Sequence, residues 1–296
     1  MKVMRRILSL GLSALMLTGI LVAGASCTKK VDTVLASETA EEDATPTEQE
    51  EKVLRVGMEC QYAPYNWTQD DDTNGAVKIK DSDKYANGFD VQMAKKIAES
   101  MGYELQIVKT EWDGLIPAVQ SGKIDAVIAG MSITSDRMTA VDFSDPYYYA
   151  DIVILTMNDS KYASAASLND LNEAKVSSQL NTVWYTVLDQ IPGATVDTAI
   201  DTVPTLLVSL TSGKLDAVTV DLPTAMAAVY SNSDIKMIKF EGANGFTVSE
   251  EDTNLGIAVK KNNPTVLDGI NKALAGISDA DRAKLMEDAI ANQPLA

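Results

Sequence analysis

Apolar residues recur with two different periods along this chain, and the alternation maps its elements. Val53-Leu54-Arg55-Val56-Gly57-Met58 is almost continuously apolar and reads as a buried strand. A Pro-containing loop follows, Tyr62-Ala63-Pro64-Tyr65-Asn66-Trp67, and residues 69–87, polar and rich in Gly and Asp, read as a surface excursion. Phe89, Val91, Met93, Ala94, Ile97 and Ala98 then fall at helical spacing up to Gly102, a helix stop. Leu105-Gln106-Ile107-Val108 is the next strand.

Part of the pattern occurs twice. Leu115 to Gly130 reads LIPAVQSGKIDAVIAG, and Leu206 to Asp221, offset by 91, reads LLVSLTSGKLDAVTVD. Each predicts a short amphipathic helix, a stop at Gly122 or Gly213, and a strand over Ile124–Ala129 or Leu215–Val220. Two helix–strand units can share this pattern simply because they solve the same packing problem. Strands alternating with helices in both halves nonetheless predict an α/β chain of two lobes, with parallel sheets covered by helices. Ligands of open α/β sheets bind beyond the carboxyl ends of strands, so Gly130 and Asp221 are expected to face each other across a cleft.

Tyr147 to Leu155 suits a strand crossing into the second lobe, and Leu255–Val259 a strand returning. Thr265 to Ala291 has helical period and no strand of its own, so it is expected to pack back on the first lobe. The expected division is residues 53–149 with 256–296 for lobe one, and 150–255 for lobe two.

The N-terminus has a different character. Lys2, Arg5 and Arg6 precede an apolar run from Ile7 to Ala23 and then Gly24-Ala25-Ser26-Cys27, the order of a signal peptide over residues 1–26. An uncleaved anchor is the rival, since about 20 apolar residues span a bilayer. The small-small-Cys ending resembles a bacterial lipobox, which would lipidate Cys27, although Gly24 stands where that motif usually has leucine. Ala23-Gly24-Ala25 also suits ordinary signal peptidase. Residues 27–52, rich in Thr, Glu, Ala and Ser, read as a disordered tether.

Composition narrows the chemistry. The formal charge of −17 over 296 residues disfavours nucleic acid and anionic surfaces as partners. The chain has no histidine, which removes Ser-His-Asp and Cys-His catalysis and the commonest transition-metal ligand. Two cysteines cannot build a zinc cluster, and neither a metal nor a cofactor is expected.

Ala129-Gly130-Met131-Ser132-Ile133-Thr134-Ser135-Asp136-Arg137 follows a strand and leads into a helix start, a setting in which backbone N–H groups and an arginine can receive an anion. Alone, such an arginine also reads as a solvated surface residue. Its context is an ordered set: Gly88-Phe89-Asp90, Trp112-Asp113-Gly114-Leu115-Ile116-Pro117-Ala118, Ser121-Gly122-Lys123-Ile124-Asp125-Ala126, the Gly130 loop, and Val141-Asp142-Phe143-Ser144-Asp145-Pro146-Tyr147-Tyr148. Together these resemble the family-3 extracellular solute-binding proteins, the polar amino-acid receptors of ABC importers, over residues 53–291.

The resemblance implies a type II periplasmic-binding-protein-like fold with a ligand cleft between the lobes. It implies that Arg137, with Ser132 and the backbone of Gly130, clamps the ligand α-carboxylate, and that Asp221 accepts the α-ammonium. Tyr62 and Trp112 match the aromatic positions flanking the ligand side chain, and Glu59 an acidic or polar position near it. Thr182, in Gln179-Leu180-Asn181-Thr182, would reach the carboxylate, although Leu180 departs from the family's usual glycine. Core packing for Tyr62 and Trp112, and a helix cap for Asp221, are the structural alternatives.

The implied partners are a free polar or basic L-amino acid, the permease subunits of an importer and, through lipid on Cys27, the outer face of the membrane, with the receptor a monomer. An enzyme on the same scaffold, of cyclohexadienyl dehydratase type with Glu59 as acid or base, and a ligand-sensing domain are the alternatives. The sensor reading lacks a second apolar span or signalling module before Ala296.

Overall fold

The computed structural model describes residues 52–294. The signal peptide expected over 1–26, lipidation of Cys27 and nearly all of the tether expected over 27–52 lie outside the described residues.

Strand β1 (Val53–Met58) opens the first sheet. Next come β2 (Gln61–Tyr62), β3 (Asn66–Gln69), β4 (Val77–Lys78) and β5 (Tyr85–Asn87), which pair in the order β2-β3-β5-β4 as an antiparallel sheet. Residues 69–87 are therefore not a free surface excursion. Their polar sequence hides two short strands, and Ile79 and Ala86 are buried where this small sheet meets the large one through a bridge from Ile79 to Ile107. Helix α1 (Phe89–Met101) buries the face predicted from its spacing, including Phe89, Val91, Met93, Ala94, Ile97 and Ala98.

Strand β6 (Glu104–Lys109), helix α2 (Leu115–Ser121), strand β7 (Ala126–Val127), the single turn α3 (Ser135–Met138) and strand β8 (Val141–Phe143) continue the first lobe. The short β9 (Tyr148–Tyr149) leads to β10 (Ile152–Met157), so the expected crossing strand is interrupted at Ala150-Asp151. The second lobe carries β11 (Lys175–Ser177), α4 (Val183–Thr186), β12 (Thr195–Val196), α5 (Val203–Thr211), β13 (Ala217–Asp221), α6 (Leu222–Ser231) and β14 (Ile235–Ile238). The turn α7 (Glu250–Thr253) precedes β15 (Asn254–Leu255) and β16 (Ala258–Lys260), and α8 (Pro264–Ala275) and α9 (Asp279–Asn292) close the chain.

The first lobe is built on β6-β1-β7-β16-β8 and the second on β12-β11-β13-β10-β14. Each sheet is mixed rather than parallel throughout. Strands β6, β1 and β7 run parallel, as do β12, β11 and β13, but β16 and β10 enter antiparallel to their neighbours. Both are the strands reached by the chain on crossing between lobes. The crossing segments pair with each other, β9 against β15.

The repeated sequence is a repeated structure. In lobe one, Asp125 Oδ2 accepts the Arg55 backbone N–H at 2.9 Å, and the Asp125 N–H donates to the Arg55 carbonyl at 2.8 Å. In lobe two, Asp216, 91 residues on, makes the same reciprocal pair with Lys175, at 2.8 Å in both directions. Each aspartate locks its strand beside a parallel neighbour. The strand predicted over Ile124–Ala129 pairs only at Ala126 and Val127, flanked by backbone bonds from the Asp125 and Ile128 N–H groups to β1.

Helices α8 and α9 pack on α1, as their apolar face requires. Helix α9 also touches α6 of the second lobe, where Gln293 Nε2 donates to the Ala227 carbonyl at 3.1 Å. One core fills lobe one and continues into the seam through Val183, Trp184, Val187 and Val203, while two smaller clusters cover the faces of the second sheet. Burial of a Leu or Ile side chain contributes about 1.5–3 kcal/mol, and these apolar clusters are what hold the strand ends in place.

Candidate functional site

The loop after β1 turns inward and is held from behind. Asn66 Oδ1 accepts the Cys60 N–H at 2.8 Å, and Asn66 Nδ2 donates to Asp90 Oδ2 at 2.8 Å. Asp90 Oδ1 accepts from the Tyr147 hydroxyl at 2.7 Å, and that hydroxyl accepts the Gly130 N–H at 3.0 Å. Fully buried Asp90 thus ties together the Glu59–Asn66 loop, the end of β7 and the crossing segment. Burial drives its carboxyl up to about 7, against the hydrogen bonds from Tyr147 and Asn66.

Glu59 projects from this loop and is 2% exposed. Its Oε1 accepts from Gln179 Nε2 of the second lobe at 3.2 Å, whereas Oε2 is buried with no hydrogen-bond partner among the described residues. Desolvation raises the carboxyl to about 7, and the Gln179 hydrogen bond only partly offsets it. Tyr62 stacks on Tyr65, with centroids 4.8 Å apart and planes at 21°, and its hydroxyl donates to Asp221.

Gly130 has φ +59°, and a Cβ there would lie 2.7 Å from Tyr62 Cε1, so the glycine permits the close approach of the Tyr62 ring. Three amides of its loop have partners: Gly130 donates to the Tyr147 hydroxyl, Ile133 to the Asn254 carbonyl and Ser135 to Glu251. Strand β15 and the turn α7 pack along the loop and take two of these three donors. Ser132, 3% exposed, donates its hydroxyl to the Asp252 carbonyl at 3.3 Å.

Arg137 folds back over its own loop. Nη1 donates to the Ser132 carbonyl and Nη2 to the Asn181 carbonyl, each at 2.9 Å. Its Cζ stands 5.3 Å from the centre of the half-buried Trp112 ring, a cation–π contact. Burial lowers the guanidinium to about 10.

From the second lobe, Thr182 caps α4 by accepting the Tyr185 N–H at 3.3 Å and donates to the Gln179 carbonyl at 2.7 Å. Asp221, 1% exposed, ends β13 and caps α6: Oδ1 accepts the Thr224 N–H at 2.9 Å and Oδ2 the Thr224 hydroxyl at 2.8 Å. Burial raises its carboxyl pKa, opposed by Tyr62 and Thr224. It is at once a helix cap and a group on the seam.

Direct contacts join Tyr62 with Asp221 and Gly130, and Arg137 with Ser132 and Trp112, while Gln179 connects Glu59 to Thr182. Tyr62 meets Tyr65 rather than Trp112 in its stacked pair. Sequence reasoning assigned no role to Gln179, Asn181, Asp90 or Tyr147, although all four lie in stretches it quoted. Their signal was polar side chains in segments flanking predicted strand ends, and their connections are set by residues distant in sequence.

Residues 54–289 match the profile of the bacterial extracellular solute-binding proteins, family 3. A probable histidine-binding protein of Campylobacter jejuni is 32% identical over 196 residues, covering 66% of this chain and 70% of the relative. A solved ancestral arginine-binding protein bound to arginine is 36% identical, with TM-score 0.65 and coverage of 80% of this chain and 98% of that one. An ancestral amino-acid-binding protein described as a precursor of cyclohexadienyl dehydratase is 32% identical, with TM-score 0.65 and coverage of 80% and 95%.

Proposed function

This chain belongs to the bacterial extracellular solute-binding proteins, family 3, and on that premise we propose that it captures a free polar or basic amino acid by cleft closure and delivers it to an ABC importer. The observation that carries the capture is a pair of opposite charges, one on each lobe. Arg137 and Asp221 are both desolvated, and among the described residues neither forms an ion pair. An amino-acid zwitterion supplies the missing counter-charge to each, offsetting the cost of burying them singly. Only the closed form makes both contacts, so the ligand favours closure by its differential affinity.

In this reading the guanidinium N–H groups not used by Ser132 and Asn181 take the α-carboxylate, with Ser132, Gly130 and Thr182 alongside, and Asp221 takes the α-ammonium. Tyr62 and Trp112 border the side chain, and Glu59 faces its tip. The unpartnered Oε2 of Glu59 accepts from a cationic or amide head. The lobes divide at 149/150 and 255/256, next to the pairing of β9 with β15. Export by the 1–26 segment, a lipid on Cys27, attachment to the outer face of the membrane, permease subunits as partners and a monomeric receptor complete the proposal.

A thermal-shift screen of the twenty amino acids tests it. Stabilisation by a polar or basic amino acid is expected, lost for every ligand in Arg137→Ala and re-ordered in Glu59→Gln; shifts confined to sugars, peptides or metals reject it. One observation favours a second reading, an enzyme: Glu59 is a buried carboxyl near neutrality, as a general acid requires, on a scaffold similar to a dehydratase precursor. Turnover of the bound amino acid or of a cyclic hydroxy-acid analogue would establish that reading, and binding without turnover the first.

A further inference from the structure

Asn181 is gripped from two sides by the opposite lobe. Its carbonyl accepts from Arg137 Nη2 at 2.9 Å, and its side-chain Nδ2 donates to Asp113 Oδ1 at 2.8 Å. Asp113 follows Trp112 directly, and the Trp112 ring lies against the same guanidinium. The four residues therefore close a ring over the rim of the seam, with three members from lobe one and Asn181 alone from lobe two. Asn181 has φ +55°, a left-handed conformation that asparagine and glycine tolerate better than other residues. The backbone thereby presents its carbonyl to Arg137 while the side chain reaches Asp113.

We propose that Asn181 and Asp113 form an interlobe latch that sets how long any ligand is retained, without choosing which ligand is retained. The inference rests on the capture reading above. Neither side chain is assigned there to the ligand, both are exposed at the rim, and their bond exists only while the lobes are together. A bond present only in the closed form lowers the free energy of that form for every ligand alike. Breaking it speeds opening, which is read as dissociation, and leaves encounter with the open form unchanged.

Substitution separates the latch from backbone geometry. Asn181→Gly keeps the positive φ and the carbonyl to Arg137 but removes the amide from Asp113. In the full-length chain, dissociation of each bound amino acid should accelerate about threefold to tenfold, with association rates and the order of affinities unchanged. Asn181→Asp sets two carboxylates against each other and should release ligand faster still. Adding Asp113→Asn rebuilds the bond with its polarity reversed and should restore slow release.

A fluorophore pair, one on each lobe, should also report a longer mean distance in ligand-free Asn181→Gly than in wild type. Unchanged dissociation in Asn181→Gly, a changed order of ligands, or a double variant no better than Asn181→Asp overturns the latch. A wild-type chain that binds no amino acid overturns the capture reading instead; the lobe distance then decides the latch, an unchanged distance rejecting it.

Discussion

The hydroxyl of Tyr62 donates to the carboxylate of Asp221, joining the loop after β1 in one lobe to the end of β13 in the other. Both side chains are almost wholly buried, and the Thr224 backbone and hydroxyl provide the carboxylate's other donors. Tyr62→Phe preserves the stack on Tyr65 and deletes one donor to a desolvated carboxylate. The expected cost is about 1–3 kcal/mol of closed-form stability, measured by urea denaturation of the chain saturated with a stabilising amino acid. A midpoint and slope equal to wild type would show that this crossing bond is idle.

Glu59 and Asp90 give stability a particular pH dependence. Their ordinary values of 4.5 and 3.8 rise to about 7 in the folded protein, both chiefly by burial. The native state then binds more protons than the unfolded state between about pH 4 and pH 7, so stability falls as pH rises. Their contribution is fully present below the unfolded values and lost as pH passes through about 7. Thermal midpoints should fall from pH 5 to pH 8, and Glu59→Gln should flatten part of that fall. Comparing the two proteins at each pH cancels the general repulsion of an acidic chain, and parallel profiles would assign no titration to Glu59.

Gly130→Ala combines two costs. The residue must hold φ +59°, and its Cβ meets Tyr62 Cε1 at 2.7 Å. Strain at a left-handed position costs about 1–3 kcal/mol. Displacing Tyr62 should also weaken its bond to Asp221, so stability and amino-acid affinity should fall together. Calorimetric titration beside denaturation checks both, and a neutral substitution would mean that the Tyr62 ring can move at no cost.

Much of the framework was legible because period and stop signals are local. The first strand, helix α1 and the helix–strand repeat were written in residue spacing, with Asp221 at a predicted strand end, Glu59 and Tyr62 just after the first strand, and Arg137 at a predicted helix start. Residues 69–87 were misread because strands of two or three residues carry too few apolar positions to show alternation. The antiparallel entry of β10 and β16 depends on how the chain crosses between lobes, which periodicity does not encode. Asn181, Gln179, Asp113 and Asp90 act through partners 24 to 120 residues away, so spacing alone gave no hint of the contacts. Thr182 and Ser132 were singled out for a carboxylate, yet in the structure their hydroxyls donate to the protein's own backbone.

The aspartates of the two repeats provide the last prediction. Asp125 binds the Arg55 backbone N–H at 2.9 Å and its guanidinium at 2.5 and 2.8 Å, whereas Asp216 binds only the Lys175 backbone N–H, at 2.8 Å, among the described side-chain contacts. The Arg55 pair is partly open to solvent, which screens it. Asp125→Ala is therefore expected to cost about 2 kcal/mol and Asp216→Ala about 1 kcal/mol, by urea denaturation. Both aspartates pin the starts of strands, while the proposed cleft lies beyond strand ends, so the order of amino-acid affinities should survive either change. Equal destabilisation would mean that the backbone bond dominates and the guanidinium adds nothing. A re-ordered ligand profile would mean that the repeat shapes the cleft as well as the sheets.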